Sequence, residues 1–224
     1  MSKNKNEDGI ILIGGGGFAL EVYSYICDDK KYKVKGIIDE TKECELINKH
    51  NELKYLGDIK SYKPKENDFA LICVGNAFLR RKLYFECKKI DLKLTSYIHS
   101  TSHISSNALI GDGVFIGPHC IISSHAIIKN NIVLNVYCGV GHGANIKDHS
   151  VMSPYSVING DCSLGEGVFL GSRVTLNPKI KIGDFSLIDA GSIIREDIDN
   201  FSIVSQRPQQ IINENRALKR EIQK

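Results

Sequence analysis

Large aliphatic side chains recur every six residues over the second half of the chain. Every sixth residue from Ile98 to Ile194 is Ile, Leu, Val or Met, and the fourth residue after each of them is small or β-branched. A period of six matches neither an α-helix nor a simple alternating strand. The pattern therefore predicts a coil of short parallel strands, in which the large side chain points inward and the small one fills the neighbouring corner.

The residue after each aliphatic is often Gly or Asn, as at Gly117, Asn135, Gly141 and Gly171. Both residue types adopt turn geometries that other residues resist, so a tight turn is expected at these positions. The pattern resembles the hexapeptide repeat of acyltransferases that fold as a left-handed β-helix, in which three hexads make one triangular coil. Residues 96–208 would then form an all-β left-handed parallel β-helix of about five to six coils.

The beginning of the chain has a different pattern. Residues 10–13 are apolar and predict a buried strand, four glycines follow, and apolar residues then recur with helical spacing from Phe18 to Ile26. A strand, a glycine turn and a helix N-terminus let backbone N–H groups approach a phosphate or another polar ligand. A plain turn that packs the helix on the sheet is the alternative. The candidate ligand-binding residues of this turn are Gly14, Gly15, Gly16 and Gly17.

Two more strands are predicted before the repeat begins. Residues 34–39 form the first and end at Asp39, near the position of the ribose-binding acid in dinucleotide folds. Residues 68–76 form the second and end in a turn at Gly75 and Asn76. Residues 1–95 are therefore expected to form a small α/β, Rossmann-like βαβ domain with a parallel sheet, which is large enough for one nucleotide rather than a dinucleotide.

Helices are expected at two further places. The first covers residues 77–89, with Arg80, Arg81 and Lys82 on its solvated face. The second covers residues 209–224, where apolar residues such as Ile212 and Leu218 have amphipathic spacing. It is expected to cap the open end of the last coil, and a partner-binding helix is the alternative.

Composition and charge narrow the functional classes. The chain of 224 residues is 42% hydrophobic and 25% charged, and its net charge of +3 is too small to indicate a nucleic-acid partner. No apolar run reaches membrane-spanning length and no signal peptide is visible, so no membrane insertion is expected. The seven cysteines lack CxxC spacing. This usage predicts a reducing, cytoplasmic location without a metal centre or a disulfide.

Both halves, in this order, resemble one family of bacterial sugar acetyltransferases. It includes sialic acid O-acetyltransferase and the N-acetyltransferases of nucleotide-linked 4-amino-4,6-dideoxy sugars. The resemblance covers nearly the whole chain. It lies in Ile13 and the four glycines before a helix, Asp39, Leu56-Gly57-Asp58, Val74-Gly75-Asn76 with Arg80 beyond, Ile98-His99-Ser100, Leu134-Asn135 and Val140-Gly141-His142.

The resemblance implies a reaction and its partners. The N-terminal domain would hold a nucleotide-linked amino sugar, the β-helix would form a homotrimer, and acetyl-CoA or another acyl-CoA would lie in the groove between neighbouring subunits. The family's catalytic His is the third residue of a hexad, which corresponds to His142. The expected activity is acyl-CoA-dependent N-acylation of the sugar 4-amino group in surface-glycan or glycoprotein biosynthesis.

Three positions depart from the family pattern. An acid usually follows the catalytic His, but Gly143 stands here. A His usually follows the glycine turn, but Phe18 takes that place, and we include it among the nucleotide-sugar-binding positions. The closing Pro-Ala-Lys motif is replaced by Pro208, Gln209 and Gln210.

Acyl transfer from a thioester needs a base for the proton of the nucleophile, and His suits this role near neutral pH. We therefore expect His142 to be the base, with a solvated surface His as the alternative. Residues 18 apart would stack on one face about 4.8 Å apart, so His125, Gly143 and Asp161 would form a column beside His142. Asp161 is expected to orient or charge-stabilise His142, and His125 to contact substrate.

The remaining candidates lie on neighbouring hexads. Asn135 is expected to hydrogen-bond the sugar or His142. An Arg in the acyl-CoA groove would suit a phosphate, whereas ordinary turn chemistry is the alternative for the glycines. The candidate acyl-CoA-binding residues are His149, Ser153, Gly160, Gly171 and Arg173.

Three rival functions remain open. The first is O-acetylation of sialic acid or a related sugar hydroxyl on the same scaffold. The second is a β-helix carbonic anhydrase, which needs three His around zinc at a subunit interface. His119, His125, His142 and His149 are available for it, but the N-terminal domain would then have no role. The third is a non-catalytic binding or scaffold protein.

Overall fold

The computed structural model describes residues 9–206 of the chain. Their N-terminal part is a four-stranded parallel sheet flanked by helices. The strands are β1 (Ile10–Ile13), β2 (Val34–Ile38), β3 (Phe69–Ile72) and β4 (Lys93–Leu94). The helices are α1 (Gly17–Asp29), α2 (Glu45–Lys49) and α3 (Ala77–Lys89). The predicted strands and the two long helices are confirmed, whereas the short α2 was not predicted.

The strand order β2-β1-β3-β4 places a topological switch point between β1 and β3. Ligands of open α/β sheets bind at the carboxyl ends of such strands. Gly14 follows β1 at this edge with a φ of 103°, and a Cβ there would lie 2.7 Å from Val74 Cγ2. Only glycine fits so close an approach with that backbone. Beside it Asn76 caps α3, because its Oδ1 accepts a hydrogen bond from Leu79 N at 2.8 Å.

From Tyr97 onward the chain winds through two-residue strands in three parallel sheets. Sheet 1 consists of β5 (Tyr97–Ile98), β8 (Phe115–Ile116), β11 (Val133–Leu134), β14 (Val151–Met152), β17 (Phe169–Leu170), β20 (Leu187–Ile188) and β22 (Ile203–Val204). Sheet 2 consists of β6 (His103–Ile104), β9 (Ile121–Ile122), β12 (Gly139–Val140), β15 (Val157–Ile158), β18 (Thr175–Leu176) and β21 (Ile193–Ile194). Sheet 3 consists of β7 (Leu109–Ile110), β10 (Ile127–Ile128), β13 (Asn145–Ile146), β16 (Ser163–Leu164) and β19 (Lys181–Ile182).

This arrangement is the predicted triangular coil. Successive coils pair in register 18 residues apart, as Gly139 does with Val157. Each strand from β5 to β21 ends on one of the predicted aliphatic residues, and these side chains line one continuous core with the small residues between them. We call the turn from a sheet 1 strand to a sheet 2 strand the 1–2 corner (residues 135–138 and equivalents). The next turns are the 2–3 corner (residues 141–144) and the 3–1 corner (residues 129–132).

The expected reason for glycine after the aliphatic residue was wrong. Gly141 and Gly171 do not have positive φ, whereas Tyr137 and Arg173, two residues further along their hexads than the glycine position, do. A Cβ at Gly141 would instead lie 2.5 Å from the backbone of the next coil, and so would one at Gly171. These glycines are required by close stacking of coils, and side chains other than glycine adopt the left-handed corner conformation.

The N-terminal sheet and α1 pack on sheet 1. The outward side chains Tyr97, Phe115, Val133 and Val151 share a buried cluster with residues of β1, α1 and β3. The 3–1 corner meets α3, where Arg81 Nε donates to Glu166 Oε1 at 2.6 Å. The α/β part therefore covers one side of the triangular β-helix and one of its edges.

Arg80 corrects the sequence prediction, because it is fully buried rather than solvated. Its Nη1 donates to Ile72 O and Val74 O at 2.9 and 2.8 Å, and its Nε and Nη2 donate to Asn131 O and Oδ1 at 3.1 and 2.9 Å. Burial away from any acid lowers the pKa of Arg80 to about 9. Four bonds to neutral oxygens satisfy the cation, so Arg80 joins the end of β3 to the β-helix.

The expected helix over residues 209–224 and the Pro208 motif lie outside the described residues. Within residues 9–206, no helix is both long and apolar enough to cross a membrane.

Candidate active site

His142 occupies the middle of the 2–3 corner, and 69% of its side chain is exposed. The corner fixes its backbone, because His142 O accepts a hydrogen bond from Asp161 N at 2.8 Å and Gly143 N donates to Ser124 O at 3.0 Å. The coils above and below therefore hold the residue while its ring stays open to solvent. An imidazole in this setting can accept a proton from a substrate that approaches the edge of the β-helix.

Asp161 lies beside His142, with Oδ1 3.9 Å from His142 Nδ1. The predicted column of His125, Gly143 and Asp161 exists, because the coils pair 18 residues apart. A Cβ at Gly143 would clash with Asp161 Oδ1, so the carboxylate lies over the glycine. A Cβ at Gly160 would lie 2.5 Å from His142 Nε2, so the imidazole rests on Gly160.

Two other titratable side chains share this corner column. His125 lies one coil before Gly143, and its Nε2 is 3.1 Å from the side-chain nitrogen of Asn107. Lys179 lies one coil after Asp161 and is exposed. The structure therefore brings His125, His142, Gly160 and Asp161 together on one edge.

Other predicted residues lie on the 1–2 corner, across sheet 2 from His142. Asn135 Oδ1 accepts a hydrogen bond from Val136 N at 2.7 Å. The Asn135 side chain is not next to His142. Ser153 and Gly171 follow at the same position in the next two coils. The structure therefore does not bring Asn135 to the base, and it groups Asn135 with the acyl-CoA candidates instead.

Arg173 ends a column of stacked side chains along this 1–2 corner. The His119 and Tyr137 rings are 4.8 Å apart, the Tyr137 and Tyr155 rings 4.9 Å apart, and Arg173 Cζ lies 4.9 Å from the Tyr155 centroid. At the next step Gly191 leaves open space, because a Cβ there would meet nothing within 4 Å. The guanidinium thus lies over the Tyr155 ring while Arg173 stays exposed, which suits contact with a phosphate or a planar base.

His149 lies on the 3–1 corner, where 2% of its surface is exposed. Its Nδ1 accepts a hydrogen bond from Asn131 Nδ2 at 2.9 Å, and its ring lies 4.8 Å from that of Tyr84. Burial lowers the pKa of His149. The expected contact with acyl-CoA does not fit this position, because the side chain is enclosed between α3 and the β-helix.

The α/β part has a cavity of about 200 Å³ at the carboxyl ends of its strands. Asp39 follows β2 at its rim, where Oδ1 accepts a hydrogen bond from Thr41 N at 3.1 Å. The position and the acid match the predicted nucleotide site. The cavity is lined by Ile13, Gly14, Ile38, Asp39, Glu40, Ile59, Val74, Leu79 and Leu83.

The glycine turn contributes unequally to this site. Gly15 is buried, and a Cβ there would clash with Cys44, so it serves the packing of α2. Gly16 and Gly17 are exposed at the N-terminus of α1 and leave its N–H groups accessible. Phe18 instead packs edge-to-face on Phe115 with ring centroids 5.3 Å apart. It therefore anchors α1 to sheet 1, and the predicted ligand contact is not supported.

A second cavity of about 360 Å³ lies between the start of α3 and the lower part of sheet 1. Asn76 lines it next to Gly75, and Phe78 projects beside it with 76% of its surface exposed. The first turn of α3 thus separates the two cavities. The aromatic part of the lining consists of Phe78, Phe169 and Phe185.

The sequence analysis did not predict the aromatic cavity. It also did not predict that Glu40 and Ile59 line the cavity beside Asp39. A signal was available for Phe78, since an apolar residue two positions after a helix N-cap is expected at the helix end rather than in the core. No such signal existed for Phe169 and Phe185, because their approach to α3 depends on how the two parts dock.

The described residues contain no cluster of three or more potential metal ligands. The four histidines considered for zinc lie on three different corners, with His119 on the 1–2 corner and His149 on the 3–1 corner. A wider depression of about 490 Å³ around Lys147, Lys181 and Asp184 on sheet 3 contains none of the predicted site residues.

Comparison with known proteins agrees with this architecture. Residues 9–87 match the family model of the PglD N-terminal domain. A His-to-Asn mutant of perosamine N-acetyltransferase from Caulobacter crescentus, solved with CoA and GDP-perosamine, has a TM-score of 0.78 at 22% identity, over 87% of this chain and 92% of that one. The acetyltransferase domain of PglB from Neisseria gonorrhoeae, solved with acetyl coenzyme A, has a TM-score of 0.76 at 21% identity, over 90% and 96%.

These matches confirm the resemblance to sugar acetyltransferases and the left-handed β-helix fold. A curated relative matches a much shorter stretch. The bifunctional protein GlmU from Thermotoga petrophila is 38% identical over 55 residues, which are 25% of this chain. The matched stretch spans only 12% of the length of that relative.

Proposed function

We propose that this chain is an acyl-CoA-dependent N-acyltransferase that acetylates the 4-amino group of a nucleotide-linked 4-amino-4,6-dideoxy sugar in surface-glycan or glycoprotein biosynthesis. The observation that carries the proposal is that one chain combines the exposed His142 ring at a β-helix corner with an α/β part that has a cavity beside Asp39. The same two-part fold is found in perosamine N-acetyltransferase over 87% of this chain.

His142 acts as the general base in this reaction. The neutral sugar amine attacks the thioester carbonyl, a C–N bond forms, and His142 accepts the amine proton. The C–S bond then breaks, and the CoA thiolate leaves and takes up a proton. The products are the amide and free CoA.

The α/β part binds the acceptor. The nucleoside occupies the cavity beside Asp39, and the phosphates lie at the accessible N–H groups of Gly16, Gly17 and the start of α3. The sugar continues past Asn76 into the aromatic cavity. A sugar methyl group suits the part of that cavity formed by Phe78 and Phe169, because a hydroxyl placed against the two rings would lose its hydrogen bonds to water.

The active site is shared between subunits of a homotrimer. The α/β part covers sheet 1 and the 3–1 corner, whereas His142 lies on the 2–3 corner, which is the edge opposite sheet 1. One chain therefore holds its acceptor cavity and its base on opposite sides of the β-helix. A neighbouring subunit must bring the base to the acceptor, and acyl-CoA lies in the groove between them along the 1–2 corner with Arg173 near a phosphate.

The seven cysteines are all free thiols. Unpaired cysteines persist in a reducing compartment, which supports a cytoplasmic location, where CoA thioesters and nucleotide sugars are also available.

The test is thiol release from acetyl-CoA with nucleotide-linked 4-amino-4,6-dideoxy sugars and, in parallel, with sialic acid. We expect turnover of an amino sugar by the wild type and a loss of about 10²- to 10⁴-fold in His142→Ala. His50→Ala, a half-buried His of the α/β part that lines neither cavity, is the control and keeps activity. Full activity of His142→Ala would show that His142 is not the base. Turnover of sialic acid alone would show that the chain is an O-acetyltransferase and not an N-acyltransferase.

A further inference from the structure

At the 2–3 corner, two glycines on adjacent coils each leave space for a side chain of the other coil. Gly143 follows His142, and the space where its side chain would be is filled by the Asp161 carboxylate. Gly160 precedes Asp161, and the space where its side chain would be is filled by the His142 ring, with Nε2 2.5 Å and Cε1 2.6 Å from the position of a Cβ. Each glycine therefore seats a functional group of the other coil.

The backbone ties the two positions together. Asp161 N donates to His142 O at 2.8 Å, so the two residues keep their relative height in the stack. The His142 Nδ1 side of the ring faces the carboxylate at 3.9 Å, and Nε2 lies over Gly160. A carboxylate on the Nδ1 side favours the tautomer with a proton on Nδ1 and leaves Nε2 free as the acceptor.

From this geometry we infer that Asp161 is the positioning residue of the base, and that the acid–base pair of this enzyme is built across two coils instead of along one. The inference rests on the proposed function of His142. Asp161 supplies the carboxylate that Gly143 cannot supply, and Gly160 leaves the space that the His142 ring occupies.

The pair is weak in the isolated subunit. The side chains are 69% and 52% exposed, and water screens such pairs. His125 and Lys179 are the other titratable groups on this corner column, and both are exposed. A neighbouring subunit and bound acyl-CoA would exclude water here, so the carboxylate orients the ring most strongly when the site is assembled.

Substitution can place a carboxylate at residue 143, directly after His142 in the sequence, instead of at residue 161. Asp tolerates the left-handed conformation of residue 143, whose φ is 66°. The variants for comparison are Asp161→Asn, Asp161→Gly, Gly143→Asp and the double variant Gly143→Asp with Asp161→Gly. Asp112→Asn, an exposed acid on the 3–1 corner, is the control for loss of a surface charge.

We expect Asp161→Asn and Asp161→Gly to lower kcat by about 10- to 100-fold, less than removal of the base itself. The acid limb of the pH–rate profile shifts to lower pH in both, because no carboxylate stabilises the imidazolium. Gly143→Asp alone is also impaired, because its side chain collides with the Asp161 carboxylate and repels it. The double variant regains at least about tenfold over either single variant and restores the acid limb.

Three outcomes separate the possibilities. Unchanged kcat and pH profile in Asp161→Asn, with His142→Ala inactive, would overturn this inference and leave the proposed function intact. Loss in Asp161→Asn without a shift of the acid limb and without rescue by the double variant would assign Asp161 a merely structural role. Activity in His142→Ala would overturn the proposed function itself.

Discussion

Arg80 and Asn131 bind each other reciprocally across the junction of the two parts of the molecule. Nε and Nη2 of Arg80 donate to the backbone and side-chain oxygens of Asn131 at 3.1 and 2.9 Å, and Asn131 Nδ2 donates back to Arg80 O at 3.1 Å. Both residues are fully buried. The junction therefore contains a buried polar pair beside its apolar cluster and the Arg81–Glu166 ion pair, and its partners cannot be removed one at a time without leaving oxygens unsatisfied.

Arg80→Ala should lower the free energy of unfolding by about 3 kcal/mol, because it removes four hydrogen bonds to carbonyl oxygens, three of them buried. Urea unfolding followed by circular dichroism measures the change. Lys82→Ala, an exposed cation on the same helix, is the control and should stay within about 0.5 kcal/mol of the wild type. Equal stability of the two variants would contradict the role of Arg80 in the junction.

Stability should fall as the pH drops below about 6.5, through His149. Burial lowers the folded-state pKa of this imidazole, so below the unfolded-state value the unfolded chain binds more protons. Protonation then favours unfolding, by at most about 1.4 kcal/mol per pH unit for one group. The stabilising difference is present above the unfolded pKa and is lost as the pH falls toward the folded pKa.

His149→Asn isolates this effect, because Asn accepts the left-handed backbone of residue 149 and does not titrate. Unfolding free energies of both proteins at pH 7.5 and 5.5 give the comparison. The variant should be less stable at pH 7.5, but it should lose less stability on acidification. An identical loss in both proteins would show that His149 is not the titrating group.

Phe78→Ala should raise KM for the nucleotide-linked amino sugar by about tenfold, which is about 1.4 kcal/mol. The ring is 76% exposed and lines the aromatic cavity, so its loss removes a ligand contact without weakening the core. KM for acetyl-CoA and the melting temperature should stay unchanged. Leu109→Ala is the control, because Leu109 is also exposed but lies on sheet 3, away from the cavity. A rise in KM for acetyl-CoA alone would assign the cavity to the other substrate.

Arg173→Ala should raise KM for acetyl-CoA about tenfold, since the fixed guanidinium no longer meets a phosphate. The stacked Tyr155 keeps the corner in place, so KM for the sugar should not change. Lys129→Ala removes an exposed cation on the 3–1 corner and serves as the control. If both variants bind acetyl-CoA equally well, Arg173 is only the end of a stacked column.

The sequence predicted the β-helix in detail because its information is periodic. Six-residue spacing predicts the end of each strand from β5 to β21, and an 18-residue coil predicts that Asp161 lies beside Gly143, as the structure shows. Both results follow because the same local geometry recurs in every hexad. A shift of one aliphatic residue along the chain would turn its large side chain outward.

Prediction failed where two distant parts of the chain meet. Arg80 stands next to Arg81 and Lys82, and such a run of cations is typical of a solvated helix face. It is buried only because α3 docks on the 3–1 corner. His149 occupies the same position in its hexad as Arg173, yet one is enclosed by Tyr84 and the other is open. Periodicity predicts which side chains point outward, but the corner that a second domain covers is a tertiary property.

Because each coil has 18 residues, the height of equivalent residues along the β-helix changes in fixed steps. Each added coil raises the stack by about 4.8 Å, and a segment of any other length would turn the following residues onto a different face. The height of the His142 corner relative to the docked α/β part can therefore change only by whole coils. Variants with one coil more or fewer would keep every sheet in register, while the distance along the stack from His142 to the α/β cavity would change by about 4.8 Å.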